Sequence, residues 1–395
     1  MANQSVGTPR FYIDYTQLAK VKGFWVDRGL IGGENSYGLT NDSSSDNMRV
    51  WNFDYSTPQT YYMPADPNSS GGNYAGSQYV NFFLYFWNPF DHASTPSSLN
   101  LEWAKLVSTI NWGGIINHNF GSSFENTSYQ NKSWKMGVYN GGIDDSGNNS
   151  IDSADFTADA NGWVNQLLEN DGYAITTGNF SDEHLFGGNG LGQYASVYFN
   201  IDFGAVPAVD SEFGKGFDMG ALCFGKYIDM PKSPDLSLTK TVSYEGVKSE
   251  RSLGGADYTQ VDYLGTPDWL SGEPWTLTNQ IPEQRAARIG KNGRRSWKMS
   301  FSYLSNDDVF YDHTQPNVLG TTTWAQGYQT GFAGTNEIQQ LWDLTLGGAI
   351  PFIFSPDKDA SNPEYAICRL DQSSISAKQV AHNTWNISMN IEEVW

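Results

Sequence analysis

Two stretches of the chain alternate apolar and polar residues with a period of two. "RRSWKMSFSYLS" places Trp297, Met299, Phe301 and Tyr303 on one side, and "WNISMNIEEVW" does the same with Trp385, Ile387, Met389 and Ile391. Successive side chains of a strand point to opposite faces, so this period specifies a strand with one buried face. "YASVYFNIDFG" repeats the pattern through Val197, Phe199, Ile201 and Phe203. "QYVNFFLYFW" is apolar on both sides, as in an interior strand covered on both faces. Asn, Gly, Ser and Thr fill the chain between such runs. Aromatics make up 15% of the 395 residues and charged side chains 17%. That balance favours strands and turns over helices, and disordered chains are poorer in aromatics. The expected fold is mainly β with a few short helices.

Length favours more than one domain. "RFYIDY" and "RVWNFDY" read as aromatic-rich strands, and Pro64–Ser77 reads as a long turn-rich loop. "SSLNLEWAKLVSTINW" fits a helix or a strand equally. Ser153–Asp171 is predicted to be a helix, because Val164, Leu167 and Leu168 share a face and Gly172 stops it. A second helix is predicted at Thr335–Gly348, with Ile338, Leu341, Trp342 and Thr345 on one side and a Gly pair ending it. Pro231 and Pro234 interrupt any ladder in Tyr227–Gly246, and a new strand is expected from Leu236. The domain boundary is therefore placed near residue 228. Residues 1–228 form one β domain, and residues 229–395 form another that carries the helix near 335–347.

The formal net charge is −20, which repels phosphate backbones and argues against nucleic acid as a partner. Cys223 and Cys368 each sit in an apolar run and are expected to be buried hydrophobes rather than ligands. Five scattered histidines offer no zinc spacing. The start of the chain lacks a basic segment followed by an apolar one. Val80–Trp87, the longest apolar run, is too short to span a bilayer. These features predict a chain folded in a cytoplasm, without membrane insertion.

"DDSGNNSIDSADF" is the sharpest local motif. Aligned as a twelve-residue calcium loop from Asp144, it places side-chain oxygens of Asp144, Ser146, Asn148, Asp152 and Asp155 at positions 1, 3, 5, 9 and 12. Ser150, at position 7, would offer its backbone carbonyl. Calcium requires six to eight hard oxygens, and this spacing wraps them round one point. The stretch resembles the calcium loops of dockerin-type modules, except that Asn149 stands where Gly makes the sharp turn. The bland alternative is a polar loop that caps a following helix through Asp152 or Ser153. A calcium ion here would be structural.

Catalytic signatures are not evident. The chain carries no nucleophile elbow, no zinc-protease helix and no phosphate-cradling loop, and "GGNGLG" reads as a turn. Carboxylate pairs for glycoside hydrolysis occur by chance among 43 acidic residues, and spacing places none of them across a cleft. The sequence therefore predicts a non-enzyme. "RAARIGKNGRRSWK" gathers Arg285, Arg288, Lys291, Arg294, Arg295 and Lys298 with no acid among them. It is either a solvated loop or an interface patch that meets the acidic surface of a neighbouring copy.

The C-terminal half runs through "DMPKSPDL", "GRRSWKMSFSYLS", "LWDLTLGG", "PFIFSPD", "NPEYAICRLD" and "QVAHNTWNISMNIEEVW". In element order and aromatic placement, residues 227–395 resemble structural proteins of tailed bacteriophages, of the distal-tail and tail-tip type. The resemblance implies a virion component without catalytic activity, assembled in the host cytoplasm. Copies, often six, would ring the end of the tail tube and join it to hub or receptor-binding proteins. It also implies a tail-tube-like β domain beside a β-sandwich of galectin-like or carbohydrate-binding type, for which residues 1–228 are the candidate. In such a ring Trp395 would be covered by the next copy, burying area worth about 2–3 kcal/mol. The alternatives are an adhesin gripping host surface glycans and, less favoured, a glycoside hydrolase.

Overall fold

The computed structural model describes residues 7–22, 29–32, 59–62, 77–87, 110–118, 133–141, 166–167, 173–177, 194–205, 216–243, 247–261, 293–310, 337–361 and 364–394. Strands dominate them. β1 (Arg10–Asp14) leads directly into α1 (Tyr15–Lys22). β2 (Gly29–Gly32), β3 (Gln59–Tyr62), β4 (Ser77–Trp87), β5 (Trp112–His118) and β6 (Ser133–Gly141) follow. Next come β7 (Gln166–Leu167), β8 (Tyr173–Thr177), β9 (Tyr194–Ala205), β10 (Gly216–Asp229) and β11 (Thr239–Ser243). β12 (Val247–Arg251) and β13 (Asp257–Val261) precede β14 (Arg294–Ser305), α2 (Asn306–Val309) and α3 (Glu337–Leu344). The last strands are β15 (Phe352–Ser355), β16 (Ala366–Leu370), β17 (Ala377–Ala381) and β18 (Thr384–Glu393).

The chain divides into two compact units. The first comprises Met1–Ile13, Tyr227–Asp312 and Thr335–Trp395, and the second Asp14–Lys226 and His313–Gly334. In the first unit, antiparallel strands run in the order β11-β14-β18-β16-β15-β1, with β17 also paired to β18. β14 and β18 carry the two alternating sequences, and Trp297, Met299, Phe301, Ile387, Met389 and Ile391 are buried as that alternation predicts. Aromatic rings knit the inner face. Trp297 meets Phe354 edge-on at 5.1 Å, and Phe11 meets Phe352 at 5.4 Å. α2 packs on α3, β14 and β18.

β14 passes into α2 at a capping box. The Ser305 hydroxyl accepts from the Asp308 backbone N–H at 3.3 Å, and the Asp308 carboxylate accepts from the Ser305 N–H at 2.8 Å. α3 buries the predicted face, Ile338, Leu341, Trp342 and Thr345. It stops where the backbone turns left-handed through Leu346, Gly347 and Gly348. A Cβ on Gly348 would stand 2.9 Å from the Leu370 side chain, so packing excludes a side chain there as well.

Two strand expectations are corrected in this unit. Tyr303, expected inside, is 72% exposed. The β14–β18 register shifts between Phe301 and Leu304, and Tyr303 adopts φ 59°. The bulge consumes the extra residue, so Leu304 takes the buried place instead. The strand expected from Leu236 begins at Thr239. Leu238 N–H donates to the Asp235 carbonyl at 3.1 Å, closing a turn that leaves Leu236 exposed.

The second unit holds two antiparallel groups. β10 pairs with β5 and with β3, and β5 pairs with β8. The other sheet runs β2-β4-β9-β6-β7. β4, the predicted interior strand, lies between β2 and β9. Phe199 and Ile201 of β9 are buried, and the Phe199 ring stacks on Trp134 at 5.9 Å. The helix predicted over Ser153–Asp171 is corrected at Gln166–Leu167, which is strand β7. Those residues pair with Trp134 and Ser133, and a partner strand outweighs a short amphipathic pattern. The rest of that stretch lies outside the described residues.

α1 begins at a fully buried carboxylate. Asp14 accepts from the backbone N–H of Thr16 and of Phe224, each at 3.3 Å, and from the Thr16 hydroxyl. Burial pushes its pKa up to about 7, against the opposing pull of those hydrogen bonds. Cys223 and Cys368 are both buried free thiols, as expected. Burial raises both, and the negative charges of Asp14 and Glu393, respectively, add to it.

Candidate interaction surface

The basic cluster meets the structure at the start of β14. Arg285, Arg288 and Lys291 lie outside the described residues. Arg295 turns inward. Its backbone N–H and Nε donate to one oxygen of Glu393, at 2.9 and 3.0 Å, and Nη2 donates to the other at 2.6 Å. Nη1 donates to Glu364 at 2.5 Å, and Glu364 also accepts from Lys240 Nζ at 2.6 Å. Lys240 and Arg295 both lie over the Trp297 ring. Two cations and two carboxylates thus form a neutral clamp across β11, β14 and β18 and the approach to β16. Burial alone would lower the Arg295 pKa, but Glu393 and then Glu364 hold it above its ordinary value. Burial alone would raise Glu364, but Lys240 and then Arg295 hold it below the usual carboxylate range.

The remaining predicted residues fall elsewhere. Arg294 is half-buried opposite Ser243, and Lys298 is exposed between Thr239 and Asn390. Trp395 lies outside the described residues, and so do Asp144, Ser146, Asn148, Ser150, Asp152 and Asp155. Among the described residues no group of three or more His, Cys, Asp or Glu side chains is arranged to hold a metal ion.

Composition and pattern gave no warning of Glu364 as part of the clamp. Glu393, however, continues the inward parity of Ile387, Met389 and Ile391, and Arg295 shares the inward parity of Trp297 and Met299. A charge at an inward strand position requires a partner, and strand parity alone would have paired these two.

The exposed feature of the first unit is the hairpin β12–β13. It pairs from Val247↔Val261 to Arg251↔Asp257 and forms a two-stranded sheet of its own. Its turn closes through Ser252 and Gly255, with φ 86° at Gly255. From Lys248 to Thr259 only Ser252 is half-buried, and the rest is exposed, with Leu253 bare at the tip and Tyr258 66% exposed. Lys248, Glu250, Arg251 and Asp257 balance in charge, on a chain whose net charge is −20. An isolated two-stranded hairpin is marginal in water, and among the described residues this one pairs with no third strand.

Comparison with protein-family models, with curated proteins and with solved structures gives no match. The surface therefore has to be read from its own chemistry. The arm presents a bare apolar tip at Leu253 and a balanced set of charges.

Proposed function

We propose that the chain is a structural subunit of a bacteriophage tail, of the distal-tail or tail-tip kind, that assembles with copies of itself into a ring. In this reading it works without catalysis, as part of the virion, and connects the tail tube to hub or receptor-binding proteins. The β12–β13 arm is the observation that carries it. Copies of a chain with net charge −20 repel one another, and they meet most easily where the surface is neutral or basic. The arm is neutral, and Lys298 stands exposed on β14. The element order of residues 227–395, with its mainly β build, supports the same reading.

The test is size exclusion with light scattering at rising concentration, together with negative-stain electron microscopy. Ring-shaped oligomers are expected from the full chain, and monomers from a chain in which a two-residue turn replaces the arm. A full chain that stays monomeric at high concentration and releases reducing sugar from a polysaccharide overturns the reading.

A further inference from the structure

We draw no further inference here: the strongest candidate, the exposed apolar pair Leu253 and Tyr258 on the β12–β13 hairpin, belongs to the surface already described, and nothing in the structure shows what covers it.

Discussion

Glu393 and Arg295 show what strand parity implies for single residues. Both stand at inward positions, where a lone charge would be costly, and each provides the other's hydrogen bonds. Glu393→Ala is therefore expected to cost about 3 kcal/mol, near the lower end for breaking a buried pair, because Glu364 still holds the guanidinium. A urea midpoint shift measures it. Asp14 makes a prediction of opposite character. Its folded pKa, about 7, lies above its ordinary value of 3.8. The folded state therefore binds the proton more tightly. This contribution to stability is complete below about pH 4 and is lost as pH rises towards 7, at about 1.4 kcal/mol per pH unit. Asp14→Asn should flatten the dependence between pH 4.5 and 7.5 in the same denaturation experiment. Glu364 acts in the other window. Its depressed pKa gives stability above the ordinary carboxylate range that fades as pH falls. The parity behind the Glu393 contact was legible in the sequence. The burial of Asp14 was not, because it follows from strand β10 passing over the start of α1 to bring the Phe224 N–H to the carboxylate.

At the scale of elements, the long alternating strands and α3 could be read directly, since one buried face imposes its period on the sequence. The failures share a cause, which is that a neighbouring segment decides the local structure. Gln166–Leu167 became strand because β6 offered a partner. Tyr303 left the core because one extra residue had to be absorbed between β14 and β18. The arm carried a usable signal in "LGG" between "VKSER" and "DYTQV", since glycine pairs mark tight hairpin turns. Its isolation was invisible, because sequence does not say which strands go unaccompanied. Two outcomes follow for this element. Replacing the arm by a short turn should shift the melting temperature by no more than a degree or two, because its described side chains bury nothing in the sheet. Leu253→Glu should leave the melting temperature unchanged and weaken self-association at least tenfold, measured by sedimentation equilibrium.

For the molecule as a whole, net charge and composition fix what it can approach. A net charge of −20 keeps copies apart until a neutral or basic contact is found, and it draws in divalent cations. Calcium, proposed from the sequence at Asp144–Asp155, is expected to raise the melting temperature by several degrees at millimolar concentration relative to chelator. Asp144→Ala with Asp155→Ala should remove that difference. The first unit also draws its sheet from distant parts of the polypeptide. Arg10 lies opposite Ser355, and Glu392 lies opposite Ser296. A ribosome delivers β1 long before its neighbour β15. Until then Phe11 lacks the Phe352 and Phe354 rings against which it packs. Closure of this side of the sheet must wait for β15, so a nascent chain arrested before Phe352 keeps that side of its first strand open to chaperones.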